Sequence, residues 1–277
     1  RVNLIAAPGK VHDQGTVVVR GGLIEAVGPS AEVAIPFDAE IIEGKGLFIY
    51  PGFIDLYTTV GQPSGVERSI TGRGRPVELS ETPLATTPAD NRRGLTPEFE
   101  VADSLDLNQG VTEPRRKLGF TDLLSAPGGA IVTGQSAFVS LSGLPRREAV
   151  LKSPVALHVH LATPTDPSTA RNEGPSTPAG GRRRPGQETG GTENPYPRSL
   201  MGSISHFRQA MLDADHYQAL LAYEQEGAGQ RVPFDPALKT LNLVRTGKLP
   251  VWWEANTRDE IHRALDIARE FGTSAVI

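Results

Sequence analysis

The C-terminal third of the chain alternates helical with strand-like segments, and that alternation limits the fold more than any other feature. Leu200, Ile204, Phe207, Met211 and Ala214 recur every three or four residues, which makes one apolar stripe of an amphipathic helix. A second helix is predicted over Pro236–Arg245, with Gly247 placed to end it. Leu249-Pro250-Val251-Trp252-Trp253-Glu254 reads as a strand. Thr257 followed by Glu260 is a capping-box pair, and Ile261, Ala264, Leu265, Ala268 and Phe271 supply the buried face of the helix behind it. Thr273–Ile277 opens a further strand. Helix, helix, strand, helix, strand implies parallel β/α units. A βα series ending on the first residues of a buried strand predicts an incomplete domain, with its continuation elsewhere.

Upstream the periodicity is that of strands. Thr16–Arg20 and Leu23–Val27 flank Gly21-Gly22, a pair that supplies the positive φ values of a tight hairpin turn. Strands are also predicted near Ala39–Glu43 and Leu47–Tyr50, so residues 1–48 form a small β-rich unit. Gly52–Tyr57 is apolar apart from Asp55, a pattern that predicts a strand buried on both faces. Residues 104–118 suit a helix whose extent Pro114 limits. Gly119–Ser125, Ala130–Leu141 and Pro154–Leu161 read as β segments.

Two polar segments interrupt this pattern. Residues 60–104 lose periodicity and predict a long surface excursion. Thr163–Arg198 holds no Val, Ile, Leu, Met, Phe or Trp. It lacks the apolar area needed to offset its ordering entropy, which predicts a mobile loop. Its triplet Arg182-Arg183-Arg184 reads as solvated loop charge rather than an anion site.

Composition removes several function classes. Lys+Arg number 28 against 32 Asp+Glu, which gives no reason to expect the basic face of a nucleic-acid binder. Without cysteine there is no disulfide framework, thiolate metal site or Cys nucleophile. No apolar run approaches the roughly 20 residues of a membrane-spanning helix. Cytoplasmic and exported (periplasmic) locations both stay open. No phosphate loop, Ser-His-Asp signature or dinucleotide fingerprint is present.

Gly15–Gly28, then Glu43-Gly44-Lys45-Gly46, then Pro51-Gly52-Phe53-Ile54-Asp55 follow in an order and spacing that resemble the amidohydrolase superfamily, which includes imidazolonepropionase and dihydroorotase. Gly119-Phe120-Thr121, Gly134-Gln135-Ser136-Ala137, Ser199-Leu200-Met201-Gly202 and Leu249–Ile277 resemble its bacterial imidazolonepropionase-like subgroup. The resemblance covers most of the chain outside the two polar segments. It implies an α/β fold. Residues 1–48 would be a small β-sandwich segment of a composite domain. Residues 49–277 would be a partial (β/α)8 barrel with polar insertions at about 60–104 and 163–198. The inherited activity would be hydrolysis of non-peptide, cyclic-amide C–N bonds, which the family performs with a divalent metal, usually Zn.

This chain departs from the family where the metal is held. Family members end the first barrel strand with two histidines, two residues apart on one face, that share a metal. Tyr57 and Thr59 stand at those positions, and neither matches imidazole as a zinc ligand. No cofactor is therefore expected for this chain. Two readings stay open. One is an amidohydrolase not competent as this chain alone. The other is a metal-free pseudoenzyme acting as a binding or assembly subunit, with a homo-oligomer or a complete amidohydrolase subunit as partner. No catalytic residue is assigned; Asp55, Tyr57 and Thr59 are the pocket candidates, Asp55 in a structural role.

His158-Val159-His160 is the alternative metal pair, with no acidic neighbour in sequence. His12 is expected in a turn before the hairpin, and His206, His216 and His262 in structural or exposed positions. Trp252 and Trp253, adjacent on a strand, are expected to face opposite sides, one toward the barrel interior and one toward the helices.

Overall fold

A computed structural model describes residues 2–7, 9–62, 92, 94–129, 131–162, 197, 199–227 and 231–277. Nearly all of the expected loop at 163–198, with its arginine triplet, and the middle of the 60–104 excursion lie outside them. The described chain is mixed α/β, built on three four-stranded sheets.

The first sheet contains β1 (Val2–Ala7), β2 (Lys10–Arg20), β3 (Leu23–Pro29) and β4 (Phe48–Ile49), in the order β3-β2-β1-β4. The predicted hairpin is its centre. Arg20 faces Leu23 across the turn, and Gly21 and Gly22 have φ of 59° and 81°, values that cost a side-chain-bearing residue free energy. Two expectations fail in this sheet. His12 is not in a turn; it lies in β2 opposite Leu4. Residues 39–43 form no strand, and Ile41 and Ile42 are exposed. Strand preference is a preference for a half-buried pleated surface, and β4, paired in parallel with β1, already takes that side of the sheet.

The second sheet runs β5 (Phe53–Thr58), β6 (Phe120–Ser125), β8 (Ala137–Ser140), β9 (Val150–Lys152), and the third joins β7 (Ile131–Gln135) to β10 (Leu157–His160), β11 (Val251–Trp253) and β12 (Ala275–Val276). The expected single segment at 130–141 is therefore two strands. They part at Ser136 and enter different sheets. Just before the break, Gly134 has φ of 122°, and a Cβ there would lie 2.6 Å from the Phe99 carbonyl oxygen. Only glycine permits that approach.

The expectation that Gly52–Tyr57 is buried on both faces is also overturned. The strand forms, but among the described residues β5 is an edge with β6 as its one neighbour, and Phe53, Ile54 and Leu56 are exposed. An apolar run cannot reveal whether anything covers it. Conversely, the end of the excursion at 60–104 is not at the surface. Leu95, and Val101 in α1 (Val101–Ser104), are buried.

Helices complete two cores. α2 (Gln109–Lys117) accommodates Pro114 within its span. α3 (Arg146–Ala149) is a single turn. Val101, Leu105, Leu123, Val139 and Leu141 pack around the second sheet. α4 (Leu200–Gln225), α5 (Pro236–Arg245) and α6 (Arg258–Phe271) cover the third, burying Phe207, Met211, Leu238, Leu241 and Ile267 with Val251 and Trp253. The predicted helix stop at Gly247, with φ of 72°, and the capping box are present: Thr257 Oγ1 accepts from the Glu260 N–H at 3.4 Å, and Glu260 Oε2 accepts from the Thr257 N–H at 2.9 Å. The buried stripe of α6 is rotated from the expected one. Ala264, Ala268 and Phe271 are inside as predicted, but Ile267 joins them while Ile261 is exposed. Among the described residues no helix is long and apolar enough to cross a membrane.

Candidate functional site

Three strands bring polar and aromatic side chains together near their C-terminal ends. β10 and β11 are parallel, with His158 directly opposite Trp252. Glu254 follows β11, and its N–H donates to the Val159 carbonyl at 2.9 Å, which extends the ladder and fixes where the carboxylate emerges. From the other sheet, β5 contributes Tyr57.

The Tyr57 hydroxyl donates to Glu254 Oε2 at 3.0 Å across 197 residues of sequence. The Tyr57, His158 and Trp252 rings have centroids 5.7–6.5 Å apart and planes within 39° of one another. His160 Nδ1 lies 3.7 Å from Glu254 Oε2 and 3.3 Å from the Gly129 carbonyl oxygen. A carbonyl only accepts, so the imidazole N–H sits on Nδ1 when that contact is a hydrogen bond.

The surroundings push two groups in opposite senses. Partial burial, then the negative charge of Glu254 and the hydrogen bond to it, drive the Tyr57 phenol up from 10.0 to about 12, so it stays protonated at neutral pH. Burial drives His158 down from 6.5 to about 4, because a charged imidazole loses its hydration there. His158 Nε2 is buried with no hydrogen-bond partner among the described residues.

The remaining sequence candidates fall outside the ring cluster. Asp55 Oδ1 accepts from the Tyr57 N–H at 3.3 Å and so braces the end of β5 through its backbone. Thr59 lies past the end of β5 and is exposed. β5 is also irregular between Asp55 and Thr58, which breaks the two-residue alternation on which a shared face depends. Within α4, His206 is buried and His216 exposed; in α6, His262 is exposed.

The view that no acidic residue adjoins the His158–His160 pair is corrected in space. Glu254 adjoins His160, although 94 positions separate them in sequence. Glu254 is the residue of this candidate site that the sequence reading passed over. A signal existed, since it is the first polar side chain after a buried parallel strand, and in α/β folds that is where ligands bind. Trp252 faces the cluster, while Trp253 packs on Phe207 at 5.4 Å in the helical core. Among the described residues no group of three His, Asp or Glu side chains is placed to hold a metal ion.

No family model matches the chain, and no curated protein does. A solved structure similar to it is that of an amidohydrolase from Thermotoga maritima MSB8, with a TM-score of 0.64 and 24% identity over 94% of this chain. The alignment covers 58% of that protein, so the chain spans somewhat over half its length. At that identity the likeness establishes the α/β fold.

Proposed function

We propose that this chain belongs to the amidohydrolase superfamily, in its imidazolonepropionase-like branch, with residues 49–277 forming part of a (β/α)8 barrel and residues 1–48 a β-sandwich segment. The activity that goes with this assignment is hydrolysis of non-peptide, cyclic-amide C–N bonds. The observation that carries it is the convergence of Tyr57, His158, His160, Trp252 and Glu254 near the C-terminal ends of parallel strands, where barrel enzymes place their chemistry. The fold likeness to an amidohydrolase and the motif order from Gly15 to Asp55 support it. Tyr57 is part of the cluster, Asp55 steadies the strand end, and Thr59 lies outside it. His158, stacked on Trp252, and His160, beside Glu254, are read as members of the same cluster rather than as a metal pair.

The family's divalent metal does not fit the residues at the end of β5. The Tyr57 hydroxyl is already spent on Glu254 and is held in its neutral form. Thr59 lies outside the cluster. One observation favours the second reading, a binding or assembly subunit: the Tyr57–Glu254 contact ties two sheets together at the position where the family's first strand would meet a ligand.

The test is turnover of hydantoin and dihydroorotate by the purified protein, with elemental analysis for Zn, Fe and Mn. Hydrolysis abolished by a chelator would establish a metal site elsewhere in the protein and remove the subunit reading. Absence of turnover in a protein that binds no stoichiometric metal would remove the hydrolase reading.

A further inference from the structure

The Tyr57–Trp252–Glu254 cluster has an open valence that the hydrolase reading does not use. Both contacts of the Glu254 carboxylate fall on one oxygen, Oε2, which meets Tyr57 and His160. Oε1 takes no hydrogen bond among the described residues, and 36% of the side chain remains exposed. Beside it lie the rings of Tyr57, itself 41% exposed, and of Trp252, which is partly open. These two rings are 6.5 Å apart with planes 28° from parallel, so two aromatic rings stand next to an anionic acceptor.

An ionised carboxylate can only accept hydrogen bonds. Aromatic faces carry negative potential and attract cations, indole most strongly. Together they select a ligand that is flat, positively charged and rich in N–H. A neutral ring would gain the stacking alone, and an anion would meet repulsion from both. The third ring does not oppose the selection, because burial keeps His158 uncharged at neutral pH.

The geometry points to a binding site for a planar organic cation, an amidinium or guanidinium group, placed against the open parts of Trp252 and Tyr57 and hydrogen-bonded to Glu254 Oε1. The site does not depend on hydrolysis, so an inactive protein would still bind.

The experiment is calorimetric titration of the full chain at low salt with benzamidine, and with benzamide as its neutral isostere. Benzamidine is expected to bind saturably and at least about tenfold more tightly than benzamide, as the added charge-assisted hydrogen bond and cation–π contact require. E254Q is expected to erase that preference. Y57F, which keeps the ring and releases Oε2, is expected to retain it. Equal affinity for the two probes, no saturable binding of benzamidine, or an E254Q protein that still prefers benzamidine would each overturn the proposal. The wild-type ratio of the two affinities decides the matter even if a variant fails to fold. Because no turnover is measured, failure here is distinct from failure of the hydrolase reading.

Discussion

Replacing Tyr57 with Phe isolates the contact that joins the second and third sheets. The ring stays, so no cavity opens and the aromatic neighbours keep their surface. What is lost is one hydrogen bond to a carboxylate, 3.0 Å long. Such bonds contribute about 1.5–3 kcal/mol when well shielded. With 41% of Tyr57 and 36% of the Glu254 side chain exposed, water replaces much of that, and the expected loss is about 1 kcal/mol.

The proton on that bond gives a second measure. The folded protein holds Tyr57 up at about 12, against 10.0 for a free phenol. The raised value makes the folded state the better proton binder. The stabilisation is therefore complete below pH 10 and is lost as pH rises toward 12. Urea unfolding at pH 7.5 and at pH 11, on wild type and Y57F, reads both effects. The difference in midpoint should be clear at pH 7.5 and smaller at pH 11. Difference absorbance at 295 nm should show a tyrosine ionising near pH 12 in wild type that is missing from Y57F. A Tyr57 that ionises near 10.0, or a Y57F protein as stable as wild type at pH 7.5, would refute the reasoning.

Three further outcomes follow from the cores and the site. Phe207→Ala removes a ring packed on both Trp253 and Phe271 and should cost about 3–5 kcal/mol in chemical denaturation. Thr257→Ala breaks the capping box of α6 and should cost about 1 kcal/mol, with a lower urea midpoint and unchanged slope. His158 should stay neutral by nitrogen-detected NMR at pH 5.5. Its folded value near 4 lies below the ordinary 6.5, so its contribution to stability is complete above pH 6.5 and disappears as pH falls toward 4.

What could be read from the sequence was whatever is set within a few residues. The Gly21-Gly22 hairpin and the Thr257–Glu260 cap obey local rules, and the helix stop at Gly247 does too. So did the opposite facing of Trp252 and Trp253, which is a matter of strand alternation alone. Burial was legible only where a partner could be assumed. Phe53, Ile54 and Leu56 carry a buried-strand pattern and sit on an edge; Leu95 lies in a polar stretch and is buried. The site was the least legible part. Tyr57 stood out as a departure from a motif, but its partner Glu254 is set by how two sheets come together, and no spacing records that.

Ser136 shows how much such long-range agreement rests on one position. A single peptide run there leaves one sheet and enters another, with Ala137 and Val139 turned inward immediately afterwards. Because strand side chains alternate with a period of two, adding or removing one residue at that point would invert the facing of β8 relative to β7. Natural variation in chain length should therefore gather in the outer connections and avoid this junction.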